Sequence, residues 1–471
     1  MLSLTFVYHN KTMIALKLLC SLSFLFQQLE IAEAAPQSNS SSPAKSNTIS
    51  SPTFTDEERL YIVDYWNQPG RYQITSPKNV TQDGPWQVRL SAEGSTWLWN
   101  YNKARNVSAP PIQIPKPQNE EQKAWDNWID KKIAYDQWST FQSASNCNQN
   151  LTGSRGIVNP LVTPATHPGP IPDGLLKRAG NPPCLVSLVA PKRYMITFDP
   201  QTTFEYVDET LIRLPRFAYF RFHTGVNYRG KKINELSEKE LESLFLEANY
   251  SVSEQKIIKA ISLLEGGFSS INTYDTGYIS VGFLQFASLK NGDASLATLL
   301  IRHKTDDPHS FYENFHLFGI DIDNNKCLTA IDPATGAELH AEKAVLKIVE
   351  DKRLTAVFQR AATSCRPFII SQLKVAKQSF YPGHQNITVN FGNKTVTLKI
   401  SDFIHSEAGM ATLMDRKVNL GNLNKLKEIL DSLIKKKNIL SAKELSKYEQ
   451  DIIKMMTYRK NFLTDISLSQ P

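Results

Sequence analysis

Apolar residues at helical spacing follow polar capping positions at several points along the chain. Thr55 and Glu58 form one capping box, and Ser251 and Glu254 form another, ahead of a helix whose isoleucines share one face. A third predicted helix starts at Ser237. Further helical patterns cover residues 120–138, 293–303, 307–315, 341–362, 367–380, 423–435 and 441–462.

Short segments that alternate apolar and polar residues predict strands between these helices. They cover residues 86–90, 96–99, 185–189 and 278–283, with predicted hairpins at 194–207 and 387–400. Helices mixed with short strands of this kind predict an α+β fold.

Composition divides the chain into two predicted domains. All seven tryptophans lie between residues 66 and 138. We therefore predict a Trp-rich α+β accessory module at residues 55–230 and a mainly helical domain at 231–465. The tryptophans have two interpretations: a platform on which sugar rings stack, or a core filled with large side chains. The second is the more common use of tryptophan.

The first residues resemble a targeting segment. Lysines and an apolar stretch precede the small-x-small site at Ala32–Ala34, which predicts a signal peptide at 1–35 and a secreted or periplasmic protein. A Ser/Pro-rich linker is predicted at 36–54. No later apolar run is long enough to span a membrane. A buried N-terminal helix is the alternative.

Removing that segment leaves four cysteines, Cys147, Cys184, Cys327 and Cys365. An even number in an exported chain favours two disulfides. Proximity along the chain favours Cys147–Cys184 and Cys327–Cys365. Four cysteines allow three disulfide connectivities, and all three remain open. The alternative to any disulfide is four free thiols.

Charge narrows the range of partners. The chain has 53 Lys and Arg against 46 Asp and Glu, a net charge of +7. The positive charge is spread along the chain and does not form the dense basic patch that nucleic-acid binding requires. A diffuse positive charge of this kind favours binding to an anionic polymer. The sequence has no phosphate-binding glycine loop and no paired metal-ligand spacing, so no cofactor and no metal is predicted.

The candidate chemistry lies at residues 265–286. Glu265 ends an apolar helix, where the helix dipole and apolar neighbours both disfavour ionisation and should raise its pKa. A glutamic acid that keeps its proton near neutral pH can act as a general acid. Asp275 follows in a turn and could supply the second carboxylate of a glycosidase, with Ser280 orienting water. A solvated helix end and an Asx turn are the structural alternatives.

This segment, Glu265 followed by Asp-Thr-Gly-Tyr-x-Ser-Val-Gly at 275–282, resembles the catalytic segment of phage-type lysozymes. The resemblance implies a two-lobed lysozyme-like domain with a small β-sheet, Glu265 as the acid, Asp275 as the second carboxylate and Ser280 as the catalytic hydroxyl. Residues 265–286 also resemble lytic transglycosylases, which lack the aspartate.

Residues 409–421 resemble a late helix of chitosanases in the lysozyme superfamily. The resemblance implies that Asp415 lines the cleft, although a salt bridge to a neighbouring Lys or Arg is the alternative. Tyr278, Gln285 and Asp415 are the predicted substrate-binding residues.

We expect an exported glycoside hydrolase that cleaves β-1,4 bonds of an N-acetylhexosamine polymer by inversion, with peptidoglycan as the first candidate substrate. Chitosan is polycationic and favours an acidic protein, so chitosanase is the second hypothesis. A lytic transglycosylase and a non-catalytic protein that binds sugars or the cell wall are further alternatives.

Overall fold

The computed structural model describes residues 52–75, 87–105, 116–148, 163–189, 192–207, 221–222 and 224–471. The predicted signal peptide, most of the predicted linker and Trp86 lie outside these ranges. Cys147 lies in a described helix, but its side chain is outside the described part of the structure.

Helices form most of the described structure. They are α1 (Asp56–Asn67), α2 (Ala92–Ala104), α3 (Glu120–Asn148), α4 (Asp173–Ala179), α5 (Glu238–Glu247), α6 (Val252–Ser262), α7 (Ser295–Asp306), α8 (Pro308–Asn314), α9 (Ala341–Glu350), α10 (Lys352–Ser364), α11 (Arg366–Phe380), α12 (Glu407–Leu420), α13 (Asn424–Lys437), α14 (Ala442–Leu445) and α15 (Glu449–Met456). None of the described helices is both long and apolar enough to cross a bilayer.

The strands are short. They are β1 (Tyr72–Thr75), β2 (Gln87–Leu90), β3 (Val186–Val189), β4 (Arg193–Asp199), β5 (Thr202–Val207), β6 (Asn227–Tyr228), β7 (Ile271–Asn272), β8 (Ser280–Val281), β9 (Phe286–Ala287), β10 (Ile320–Ile322), β11 (Leu328–Ile331), β12 (Glu338–His340), β13 (Asn386–Phe391) and β14 (Lys394–Lys399).

These strands pair into small antiparallel sheets in the orders β1-β4-β5, β2-β3, β6-β7-β8-β9, β10-β11-β12 and β13-β14. The predicted α+β class is confirmed. The predicted hairpins are confirmed as β4-β5 and β13-β14, because alternating apolar residues and short polar turns specify them locally.

Several predicted elements have different bounds. Residues 96–99 are helical within α2 rather than a strand, because the Ser91 hydroxyl accepts the Gly94 N–H and caps a helix there. The predicted helix at 341–362 is two helices, since the Asp351 carboxylate caps α10. The predicted helix at 441–462 is a series of short helical pieces. Strand β8 is only Ser280–Val281 of the predicted 278–283.

The buried residues of the described ranges form two hydrophobic cores. The larger core joins residues from α1, β4 and β5 to the helices after residue 231. Within it, Trp66 Nε1 donates to the Phe318 carbonyl at 3.1 Å and the two rings lie 6.0 Å apart. The smaller core lies between α2, α3 and α4. The boundary predicted at residue 230 therefore does not coincide with the division between the cores.

Most described tryptophans are core residues. Trp66 is buried in the larger core, and Trp97, Trp125 and Trp128 are buried in the smaller one. Trp99 and Trp138 are half-buried. For the four buried rings the structure supports the core interpretation, since a stacked sugar requires an accessible ring face.

The predicted disulfides do not form. Cys184, Cys327 and Cys365 are free thiols, so both Cys327–Cys365 and Cys147–Cys184 are wrong. Cys365 is buried, with its Sγ 3.1 Å from the Ser310 hydroxyl and 3.9 Å from His303 Nε2. The predicted pairing rested only on proximity along the sequence. Such proximity does not bring two Cα atoms within the distance that a disulfide requires.

Candidate functional site

Glu265 lies just beyond the C-terminal end of α6. The Ser251–Glu254 capping box fixes the start of this helix as predicted, and the buried residues Ile257, Ile258 and Ile261 anchor it in the larger core. The chain then closes a tighter last turn, in which the Glu265 N–H donates to the Ser262 carbonyl at 3.2 Å. The carboxyl group therefore sits at the negative end of the helix dipole.

The two glycines after Glu265 allow another segment to approach closely. Neither has the positive φ expected of a helix-ending glycine. Instead, a Cβ on Gly267 would lie 2.0 Å from the Lys231 carbonyl oxygen. The Gly267 N–H donates to the Arg229 carbonyl at 2.8 Å and to the Ser270 hydroxyl at 2.7 Å. Residues 229–232 thus pack directly against the end of α6.

This approach creates a cleft beside Glu265. The cavity volume of this cleft is about 90 Å³, which is below the roughly 300–1,000 Å³ of ordinary small-molecule sites. Its lining residues are Asn227, Tyr228, Arg229, Lys232, Leu263, Leu264, Glu265, Gly266, Ser270, Asn272, Tyr274 and Gln285.

A buried arginine lies behind Glu265. Arg459 Nη2 is 2.6 Å from Glu265 Oε1 and 2.6 Å from Asp415 Oδ1. Its Nε also donates to Asp415 Oδ1 at 2.8 Å, and Glu265 Oε2 has no hydrogen-bond partner among the described residues. The guanidinium is thus shared between the carboxyl groups of Asp415 and Glu265.

The Glu265 carboxyl is strongly biased towards its protonated form. Burial is the largest cause and raises the pKa of Glu265 to about 7; Arg459 opposes this shift, and the charge of Asp415 adds to it. The side chain has no exposed surface in the free protein. A carboxylic acid that keeps its proton near neutral pH can donate it to a ligand once movement of the cleft residues exposes the carboxyl group.

Asp275 lies behind the cleft wall. Its Oδ1 accepts the Gly277 N–H at 2.9 Å, which is an Asx turn, and its Oδ2 accepts from Asn272 Nδ2 at 2.7 Å. Asp275 is 1% exposed and is not among the cleft-lining residues. Burial raises the pKa of Asp275 to about 6, although these hydrogen bonds and Arg221 lower it.

Ser280 and Tyr278 are also buried beside the cleft and do not line it. The Ser280 hydroxyl has no hydrogen-bond partner among the described residues. Tyr278 has a φ of 62°, and its hydroxyl accepts from Arg221 Nη1 at 2.5 Å. Gln285 and Leu289 also have positive φ values. Such strained non-glycine residues are concentrated at functional sites.

Of the predicted site residues, the structure places Glu265 and Gln285 in the cleft. Gln285 Nε2 donates to the Gly282 carbonyl at 3.0 Å. Asp415 is 1% exposed and is bound by Arg459 and Asn419. The prediction that it lines the cleft is therefore wrong, and its alternative, a salt bridge, is what the structure shows.

Sequence reasoning missed Arg459 and the segment that lines the opposite side of the cleft, residues 227–232. No local pattern marks Arg459. The Asn-Tyr-Arg-Gly run at 227–230 preceded the predicted domain boundary and was assigned to the other module.

Comparison with known proteins adds no assignment: no family model, curated protein or solved structure matches this chain.

Proposed function

We propose that this protein is an exported glycoside hydrolase of lysozyme-like type, with Glu265 as its general acid. The observation that carries the proposal is the Glu265 carboxyl itself. It is buried, it lines a cleft, its pKa is raised to about 7 despite the Arg459 guanidinium 2.6 Å from Oε1, and its Oε2 has no hydrogen-bond partner among the described residues. A structural glutamate in a core would be expected to have both carboxyl oxygens satisfied.

The proposed reaction breaks the bond between the anomeric carbon and the bridging oxygen. Glu265 gives its proton to that oxygen, a water molecule adds to the anomeric carbon, and Asp275 is the proposed acceptor of the proton that this water loses. Because Asp275 does not line the cleft, this step requires the cleft wall to move so that its carboxylate reaches the water. Arg459 lies 2.6 Å from the carboxylate that Glu265 becomes. Arg459 therefore stabilises the Glu265 carboxylate until that carboxylate is protonated again.

The charge of the cleft favours an anionic glycan. Arg229 and Lys232 line it together with Glu265, which is protonated at mildly acidic pH. Since chitosan is polycationic, two basic side chains at the site oppose its binding. Peptidoglycan, an anionic polymer with β-1,4-linked N-acetylhexosamines, is the substrate we propose first, and chitosan the second.

A lytic transglycosylase is the second candidate function. It is favoured by the position of Asp275, which is buried with both carboxyl oxygens hydrogen-bonded. A transglycosylase needs no second carboxylate to activate water, because the sugar's own hydroxyl closes an anhydro ring.

The hydrolase proposal predicts a bell-shaped pH dependence of kcat/KM. Activity should rise as Asp275 ionises, with a pKa of about 6, and fall as Glu265 loses its proton, with a pKa of about 7. The maximum should therefore lie between these two values. The test is the initial rate of solubilisation of purified peptidoglycan across the pH range. A rate that keeps rising above neutral pH contradicts Glu265 as the acid.

The variant Asp275→Asn separates the two candidate reactions. We expect a loss of hydrolysis of about 10²-fold or more, because the base is removed while the side chain keeps its size. Mass spectrometry of the glycan ends is the measurement. Full activity of Asp275→Asn with anhydro-sugar products would overturn hydrolysis in favour of transglycosylation. The matched control is Asp323→Asn, which changes an aspartate that also accepts loop N–H groups but lies in another turn.

A further inference from the structure

A second groove lies at the opposite end of α6 from Glu265. We call it the basic groove; it is open to solvent and has a cavity volume of about 830 Å³. Its lining residues are Ala248, Asn249, Arg302, Lys374, Lys377, Gln378, Tyr381, His384, Gln385 and Lys417. It shares none of them with the cleft. The eleven residues of α6 separate the two sites by about 16 Å at 1.5 Å per residue.

The basic groove has more positive than negative charge. Arg302 and Lys374 both pair with Asp306, at 2.9 and 2.7 Å. Lys377 pairs with Glu254 at 2.8 Å. Of the four cationic side chains that line the groove, only three are thus neutralised, and two of these share one carboxylate.

Lys417 is the cation that remains. It lies on α12, half-buried, and its ammonium has no hydrogen bond or ion pair with the described residues. Burial lowers the pKa of Lys417. The direction of this shift is the one expected for an ammonium group that has lost hydration and has not gained a counter-ion. An anion in the groove would supply that counter-ion.

The groove also offers groups that suit a saccharide. Gln385 Oε1 is buried and has no hydrogen-bond partner among the described residues; it can accept a hydrogen bond from a hydroxyl or N–H group. Tyr381 is half-buried on the groove wall, with the His384 ring 5.6 Å away. Aromatic faces and amides are the usual partners of sugar rings and hydroxyls.

We propose that the basic groove binds an acidic saccharide unit, whose anionic group contacts Lys417 and the neighbouring lysines while a hydroxyl donates to Gln385. It is a binding site separate from the cleft and involves no chemistry. Because the proposal does not use Glu265, it stands or falls independently of the proposed hydrolase activity.

The test is isothermal titration calorimetry on the full chain at low salt, with glucose 6-phosphate, glucuronate, glucose and inorganic phosphate as probes. We expect saturable binding of the two acidic sugars, weaker binding of inorganic phosphate and no binding of glucose. Inorganic phosphate binding as tightly as glucose 6-phosphate would overturn the assignment to a saccharide. Absence of binding by both acidic sugars would overturn the site.

Two variants locate the binding. Lys417→Gln should weaken glucose 6-phosphate binding by about tenfold, the loss expected for one charge-assisted contact. The matched control is Lys436→Gln on α13, an exposed lysine outside the groove, which should leave the affinity unchanged. Equal affinity of Lys417→Gln and the wild-type protein, with circular dichroism showing both folded, would contradict the proposal. The cleft variant Glu265→Gln should bind the probe like the wild type.

Discussion

Replacing Glu265 with Gln is expected to lower the rate of glycan hydrolysis by about 10³-fold or more. Glutamine fills the same volume at the end of α6 but has no proton to give to the leaving oxygen. General acid catalysis typically contributes about 10²- to 10⁴-fold. The measurement is the initial rate of peptidoglycan solubilisation at the pH optimum. A control is Glu407→Gln, since Glu407 is a similarly buried glutamate whose carboxylate is held by the Ser469 N–H at 2.8 Å.

Glu265→Gln should at the same time keep or increase stability. The pKa of Glu265 is about 7 in the folded protein against 4.5 for the ordinary group, so the folded state binds the proton more tightly. The free energy of unfolding therefore falls as pH rises from 4.5 to about 7, by at most about 3 kcal/mol. Because glutamine does not titrate, the free energy of unfolding of Glu265→Gln does not show this decrease with rising pH. Failure of Glu265→Gln to fold would make Glu265 a structural residue, and unchanged activity would leave only a sugar-binding role.

Arg459→Met is expected to be the most destabilising substitution near the site. It leaves the buried Asp415 carboxylate without its cation, with Asn419 as its remaining side-chain partner. Removing one partner of a buried ion pair costs about 3–5 kcal/mol. The measurement is urea unfolding at about pH 6, where Glu265 is mostly protonated.

The double variant Asp415→Asn with Arg459→Met tests the reason for that loss. Because asparagine removes the orphaned charge, the double variant should recover part of the stability that Arg459→Met loses. The coupling energy from the double-mutant cycle should be about 1–3 kcal/mol. Strictly additive effects would show that Arg459 and Asp415 stabilise the fold separately and would contradict the shared guanidinium described above.

Local signals predicted much of the fold. The capping boxes at Thr55 and Ser251, the hairpins β4-β5 and β13-β14 and most helices follow from patterns a few residues long. The unusual position of Glu265 could also be predicted, because an acidic side chain at the end of an apolar helix conflicts with the helix dipole. The structure adds the burial that makes this conflict large.

Long-range contacts could not be predicted. Arg459 reaches Glu265 from near the end of the chain, and no local pattern signals that pairing. The Trp66 helix packs with residues after 231 for the same reason, so the larger core contains residues from both sides of the boundary predicted at residue 230. The alternation at 96–99 was misleading because Ser91 caps a helix that buries Trp97 and Tyr101 on one face.

The protonation state of Glu265 is the claim on which the account depends. Infrared difference spectroscopy of the wild-type protein against Glu265→Gln isolates the carboxyl band of this residue as pH is varied. We expect the protonated band to disappear with a midpoint near pH 7, the pKa that burial gives Glu265 against the opposing charge of Arg459. A midpoint at or below the ordinary value of 4.5 would show a permanent ion pair with Arg459 and would contradict Glu265 as an acid.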